Sequence, residues 1–195
     1  MTPKNKKSQI KIQNAFIELL EYLPLAKVTV RSLCNHAEIN RSTFYRHFRS
    51  ISQLTTATIE RHFDLLFGET YKFYLKHQSI EESQFFIANN IFSHIKHDYD
   101  FYNIMFKRYP NFHMVLKHFI HERYIQFFED TNLANAMILD KNIVAEYISS
   151  AYTGMIQGWI NRQLQESPNI MAERLITLNS NGPIRLLTEA EKRMN

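Results

Sequence analysis

Apolar residues recur at intervals of three and four along most of this chain, and strict alternation is scarce, a pattern that predicts helices rather than strands. Ile12, Phe16, Leu19, Leu20 and Leu23 share one face of a first helix that begins between Lys6 and Ser8 and stops at Pro24. Thr29 stands as N-cap to a two-turn helix with Val30, Leu33, Cys34 and Ala37 inward, and Glu38-Ile39-Asn40 is a three-residue connection. Asn40 is placed to cap a third helix, Arg41 to Phe48, whose Phe44 and Phe48 face inward at i, i+4. Ser50 and Gln53 form a capping-box signal for a fourth helix expected to run to about His77, a connector of roughly 40 Å at 1.5 Å per residue. Ser79 with Glu82 opens a fifth helix to about Lys96, Asp98 to Asp100 a brief sixth ending near Tyr109, and Pro110 a seventh to about Glu129. After a loop at Thr131 to Leu139, Asp140 caps a helix from Lys141 to Gln165. Ser167-Pro168 then starts a last long helix that Asn181-Gly182-Pro183 ends, with a short tail from Ile184. The expected fold is all-α, with about nine to ten helices.

Composition narrows the function classes more than the fold. The 195 residues are 45% hydrophobic and 22% charged, with four Gly and five Pro, ordinary for a globular protein. The lone Cys34 cannot form an internal disulfide and falls in an apolar stripe, where it reads as a small buried hydrophobe. The basic start, MTPKNKKSQIKIQ, is not followed by an apolar stretch of signal-peptide length, and no run approaches about 20 apolar residues. A cytoplasmic protein with no membrane association is therefore expected. No Gly-rich phosphate loop, Gly-x-Ser-x-Gly elbow, CxxC or HExxH is present, and the His94/His97 and His118/His121 pairs stand without a metal motif. Catalytic residues, a cofactor and a bound metal are not expected.

Charge is unevenly distributed. Residues 1–62 hold ten Lys/Arg against four Asp/Glu, whereas the remainder holds 13 against 15. A basic N-terminal third on a near-neutral body suits a polyanion. Within it, two short helices joined by three residues form a helix-turn-helix, whose second helix exposes Arg41, Ser42, Thr43, Tyr45, Arg46 and His47. Arginine can fork onto O6 and N7 of guanine, Ser and Thr serve bases or phosphate, and Tyr and His suit phosphate oxygens. Lys4, Lys6 and Lys7 could reach phosphate or the adjacent minor groove.

This stretch resembles the DNA-binding domain of the TetR family of bacterial transcriptional repressors. The resemblance is carried by Thr29-Val30-Arg31, Ala37-Glu38-Ile39, Thr43-Phe44-Tyr45-Arg46-His47-Phe48, Ser50-Ile51 and Leu54. Glu38 stands where the family usually has Gly, and Ile51 where it usually has a phosphate-contacting Lys. The resemblance implies a helix-turn-helix domain over residues 1–52 and a helical effector-binding and dimerisation domain over 53–195. It further implies a homodimer reading a palindromic operator, with Arg41, Ser42, Thr43 and Arg46 on bases, Arg31 assisting, and Thr29, Tyr45, His47 and Ser50 on phosphates. A regulator-like coactivator that binds DNA only with a partner is the alternative kept open by Glu38 and Ile51.

Toward the C-terminus, Ala151, Gly154 and Gly158 fall on one side of a helix, and Gly in a helix interior costs about 1 kcal/mol against Ala, which suggests close approach of another backbone. The Gly-x-x-x-Gly-Trp segment followed by Ser-Pro is similar to C-terminal regions of some Gram-positive TetR members. That likeness implies a dimer contact through Ala151, Gly154, Met155, Gly158, Met171 and Leu175. In the family, helices four to seven enclose a small-molecule effector. The corresponding walls expected here are Phe63, Phe67, Tyr71, Phe92, Tyr102, Phe106 and Trp159.

Overall fold

The computed structural model describes residues 3–67, 70–77 and 79–194, with the side chains of Pro3, Lys4, Thr70, Tyr71, Ala190, Arg193 and Met194 outside the described set. Among the described residues the fold is all-α. Eleven α-helices run α1 (Pro3–Tyr22), α2 (Val30–His36), α3 (Arg41–His47), α4 (Ile51–Phe63), α5 (Thr70–His77), α6 (Ile80–His97), α7 (Tyr99–Arg108), α8 (Phe112–Asp130), α9 (Lys141–Asn161), α10 (Pro168–Asn181) and α11 (Pro183–Met194). Two of these are additional to the nine laid out from the sequence: the span expected as one fourth helix holds α4 and α5, and the segment expected as a tail from Ile184 is α11. None of these helices is long and apolar enough to cross a membrane. The chain divides into two compact units, Met1–Asp64 with Asp100–Pro110, and Leu65–Tyr99 with Asn111–Asn195.

In the first unit, α1 buries Ile12, Phe16 and Leu20 completely and packs on α2 and α4. Two polar links tie α1 to α4: the Gln13 amide donates to the carbonyl of Ala57 at 2.9 Å, and Arg61 donates to Asn14 Oδ1 at 3.0 Å. Residues of α7 complete this unit although they lie far along the chain. The Phe101 ring stacks on His62 at 3.7 Å, and Arg108 donates to the carbonyl of Glu21 at 3.0 Å.

The fourth helix is shorter than expected. It stops at Phe63, and a turn over residues 64–66 precedes α5. Leu66 is buried, and the Phe67 ring meets Phe119 and Tyr124 edge-on at 6.0 and 6.1 Å. Asp64 is a poor helix former, so burying Leu66 and half-burying Phe67 outweighs continuing the ladder.

In the second unit α8 lies along α9, and α10 along α6. Trp159 and Phe92, both fully buried, meet edge to face at 5.4 Å, and Tyr152 packs against Phe92 at 6.3 Å. Each such ring contributes on the order of 2–3 kcal/mol by leaving water. The Trp159 indole N–H donates to the carbonyl of Glu166 at 3.1 Å, which fastens the α9–α10 connection to the core.

Four helix starts follow their sequence signals, whereas α1 begins at Pro3 rather than between Lys6 and Ser8. Ser50, Ser79, Asp140 and Ser167 each accept a backbone N–H of the first turn, from Gln53, Glu82, Asn142 and Ile170. Helix ends do not. α9 stops at Asn161 rather than Gln165, because Gln163 and Leu164 are left-handed at φ 55° and 52°. There Leu164 N–H donates to Trp159 C=O at 3.1 Å and Gln163 N–H to Ile160 C=O at 2.9 Å, the paired bonds of a Schellman cap. α8 begins after Asn111, itself left-handed at φ 60°, rather than at Pro110.

Candidate nucleic-acid interface and effector cavity

The helix-turn-helix is held from its first residue. Thr29 Oγ1 accepts the N–H of Ser32 at 3.0 Å, and Ser32 Oγ accepts the N–H of Thr29 at 3.0 Å, so two free donors of α2 are satisfied reciprocally. Leu33 and Cys34 are then buried, and Arg31 stays exposed. At the far end Glu38 N–H donates to Asn35 C=O at 3.3 Å and Ile39 N–H to Cys34 C=O at 3.0 Å. This is again a Schellman cap, with Glu38 in the left-handed position at φ 52°. The turn that the sequence marked by its missing glycine is thus a left-handed glutamate whose side chain is exposed.

The third helix is anchored by Phe44 and Phe48, both buried, with ring centroids 6.0 Å apart. Asn40 occupies the N-cap through its carbonyl, which accepts from Thr43 and Phe44; its side chain makes no capping bond, which differs from the expectation. With the two phenyl rings inward, Arg41, Ser42, Tyr45 and Arg46 are exposed and Thr43 is half-buried. The Tyr45 ring stands edge-on to Phe44 at 5.3 Å, which steadies an otherwise solvent-facing phenol. Ser50 is exposed at the start of α4, its oxygen accepting from Gln53 while its hydroxyl hydrogen remains to donate. The Gln53 side chain reaches back to the N–H of Arg49, at 2.6 Å, instead of to Ser50.

His47 is half-buried, with Nε2 shielded from solvent and no partner for it. Burial, and then the neighbouring Arg46 charge, hold its pKa below the usual imidazole value, so at neutral pH the ring is uncharged. Burial pushes the Cys34 thiol up, opposed by Arg41, and the sulfur stays a protonated hydrophobe. The formal positive charge on this surface therefore comes from Arg31, Arg41, Arg46 and Arg49.

The second unit contains a cavity of about 280 Å³. α6 contributes Ile80, Ser83, Gln84 and Ile87; α8 contributes Tyr124, Phe127 and Phe128. Val144, Tyr147, Ile148 and Tyr152 of α9 and Ile176, Asn179 and Ser180 of α10 close it. The Tyr124 and Tyr152 hydroxyls, both buried, are 3.3 Å apart. Burial pushes Tyr124 up to about 12 and Tyr152 well above its ordinary value, so both remain protonated.

None of the wall residues expected from sequence lines this cavity. Phe63 and Tyr102 stack on each other at 6.4 Å in the first unit, where Phe106 also lies. Phe67 is engaged with Phe119 and Tyr124, Phe92 and Trp159 fill the core against each other, and the Tyr71 side chain is outside the described residues. Aromatic rings close onto one another when they can. The cavity is lined by the start of α6, the end of α8, the first half and middle of α9 and the end of α10, a combination that spacing along one helix does not reveal.

The residues expected at a dimer contact separate into two groups. Met171 and Leu175 are each 1% exposed and belong to the buried face of α10, which lies along α6. They are core residues, a correction to the sequence reading. Gly154 is exposed, and Ala151, Met155 and Gly158 are half-buried. A Cβ added to Gly154 would meet nothing within 4 Å, and one on Gly158 only the tip of the Arg162 side chain at 3.3 Å. The same outward side of α9 carries Ile143, 62% exposed, and Tyr147, 51% exposed, which the sequence reading did not single out.

Comparison with known families and structures adds to this geometry. The TetR-series family model described as "Transcriptional regulator C-terminal region" matches residues 82–181, just over half of the chain. Comparison with curated proteins gives no match. Among solved structures, the fatty acid degradation regulator FadR from Bacillus halodurans superposes with a TM-score of 0.73 at 13% identity, covering 94% of this chain and 97% of its own. A structure described as a TetR-family transcriptional regulator from Syntrophomonas wolfei gives 0.75 at 15% identity, covering 91% and 95%. The dihydroxyacetone kinase operon activator DhaS gives 0.61 at 18%, covering 88% and 93%. At these identities the likeness is one of fold.

Proposed function

The chain belongs to the TetR family of transcriptional regulators, and from that membership we propose that it is a ligand-responsive repressor that binds a palindromic operator as a homodimer. The observation that carries the reading is the exposed side of α3. Burial of Phe44 and Phe48 turns Arg41, Ser42, Tyr45 and Arg46 outward together, a surface of donors suited to base edges and phosphates. Arg41, Ser42, Thr43 and Arg46 are assigned to bases with Arg31 assisting, and Thr29, Tyr45, His47 and Ser50 to phosphates. Thr29 Oγ1 accepts from the Ser32 N–H and donates to Ser32 Oγ, so its part in DNA binding is to set α2, and it meets a phosphate by giving up the second of these bonds.

Dimer formation is assigned to the outward face of α9. Two glycines in a helix interior each cost about 1 kcal/mol against Ala, and neither faces a neighbour in its own chain that requires glycine. A second copy seated against Ala151, Gly154 and Gly158, flanked by Ile143 and Tyr147, gives those glycines a reason. Two-fold pairing also matches half-sites one helical turn or a multiple of it apart. The effector is assigned to the cavity of the second unit, and release from DNA follows if it prefers a dimer form that reads the operator poorly.

The test is a mobility-shift titration against the protein's own promoter region at stated salt. Arg46→Ala weakens specific binding about tenfold or more while the thermal midpoint stays within a few degrees of the parent; undiminished affinity sinks the assignment. Ile51 and Glu38 favour one other reading, a coactivator that binds DNA only with a second protein. Ile51 is a half-buried apolar first residue of α4, and Glu38 puts an exposed carboxylate at the turn. The similar structure of an operon activator belongs with that reading. Binding by the purified chain alone separates the two.

A further inference from the structure

We propose that the cavity of the second unit takes a small, uncharged, largely apolar molecule whose polar part is a hydroxyl or amide. This rests on the effector assignment above and names the chemical class. A volume of about 280 Å³ lies just below the usual range for ligand sites, roughly 300–1,000 Å³. It holds roughly ten to fifteen non-hydrogen atoms at densities between those of water and an organic solid. Ile87, Phe127, Phe128 and Ile176 supply apolar wall, and among the described residues no Lys, Arg, His, Asp or Glu lines the site. A carboxylate, phosphate or ammonium entering it would lose water without gaining a counter-charge, a cost of several kcal/mol that a neutral molecule does not incur.

Gln84 and Ser180 add an amide and a hydroxyl to the lining, and the buried polar atoms beside them point to the kind of neutral group. Tyr124 and Tyr152 share one hydrogen bond between two hydroxyls, so one hydroxyl hydrogen is left to donate. The Ser83 hydroxyl already donates to the carbonyl of Ser79, at 2.5 Å. Asn179 is in the lining, and its Oδ1 has no partner and is not reached by water, so a donor satisfies it once the amide turns toward the cavity. A ligand that accepts from the tyrosine pair and donates to Asn179 satisfies both, and hydroxyls and amides do each. Tyr147 and Ile80 of the lining are also exposed to solvent.

The test is calorimetric titration of the full chain at pH 8 with a matched pair, 4-tert-butylphenol and 4-tert-butylbenzoate. The phenol binds at least tenfold more tightly, and Asn179→Leu and Tyr152→Phe each weaken it about three- to tenfold. Tyr152→Phe keeps the ring, so it carries the test if Asn179→Leu fails to fold. Equal or tighter binding of the benzoate, binding of neither compound, or unchanged phenol affinity in the folded variants overturns the proposal. A mobility shift with each compound separates this from the effector assignment. Phenol binding that leaves DNA affinity unchanged refutes the assignment and keeps the ligand class, whereas DNA release by the benzoate does the reverse.

Discussion

Replacing Glu38 by glycine should make the protein more stable and its grip on DNA stronger, and the two effects have separable causes. Glu38 sits at φ 52°, the left-handed position of the Schellman cap that joins α2 to α3. An L-residue with a Cβ there costs about 1–2 kcal/mol, which glycine avoids. Glycine in turn gives back about 0.5–1 kcal/mol through the greater freedom of the unfolded chain. The carboxylate also faces the negative end of α2, where an exposed anion is unfavourable by about 0.3–1 kcal/mol. The net gain is about 1 kcal/mol, a rise in melting midpoint of roughly 2–4 °C for a chain of this size. Glu38→Ala loses the same charge but keeps the Cβ, and Glu38→Asn is intermediate because asparagine tolerates the left-handed region. Differential scanning calorimetry on the three should rank them Gly, Asn, Ala. If Ala equals or exceeds Gly, backbone strain at this turn is not what limits stability. The charge effect is read separately: all three variants should bind operator DNA more tightly than the parent, and the advantage should shrink between 50 and 200 mM salt.

Other consequences are open to direct measurement. Gln163→Gly, at the equivalent position after α9, should raise the unfolding free energy by a few tenths of a kcal/mol to about 1 kcal/mol in urea titration; a loss of stability would show that the Gln163 side chain matters more than its backbone angle. Gly154→Ala should strengthen helix α9 by about 1 kcal/mol in a monomer and yet weaken self-association in sedimentation equilibrium. A variant that associates as well as the parent removes α9 from the interface. The raised folded pKa values of Tyr124 and Tyr152 carry a definite sign. Both folded groups hold their protons where unfolded tyrosines release theirs, so their stabilising contribution is intact below about pH 10 and falls as pH rises from there toward 12. Urea midpoints at pH 8 and 10.5 should therefore differ less in the Tyr124→Phe/Tyr152→Phe double variant than in the parent.

Side chains that act on their own near neighbours were readable in the sequence. Ser50, Ser79, Asp140 and Ser167 each cap the helix their spacing announced, because an N-cap needs only an oxygen three residues or fewer from a free N–H. The helix-turn-helix was legible for the same reason, with Phe44 and Phe48 inward at one-turn spacing and the donors left outside. Endings were harder. Nothing local marks Gln163 and Leu164 as left-handed, or Leu66 as worth breaking a helix to bury. The cavity was the least legible part: Phe92 and Trp159 look like walls in the sequence and prove to be each other's packing partners. Met171 and Leu175 share the apolar pattern of an interface but are used up by α6, whereas Gly154, with no side chain to pattern, is the residue left facing outward.

On the proposed pairing through α9, that open glycine face ties local order to concentration. In a lone copy the middle of α9 has the weakest intrinsic helix propensity of its length, with water free to reach the backbone around Gly154. Amide hydrogens there should exchange quickly in dilute solution and slowly once another surface covers them. On that pairing, parting of the copies uncovers the Gly154 backbone while Tyr152, Ile156 and Trp159 hold the opposite face in the core, so dissociation and the loss of amide protection on the open side form a single event rather than two.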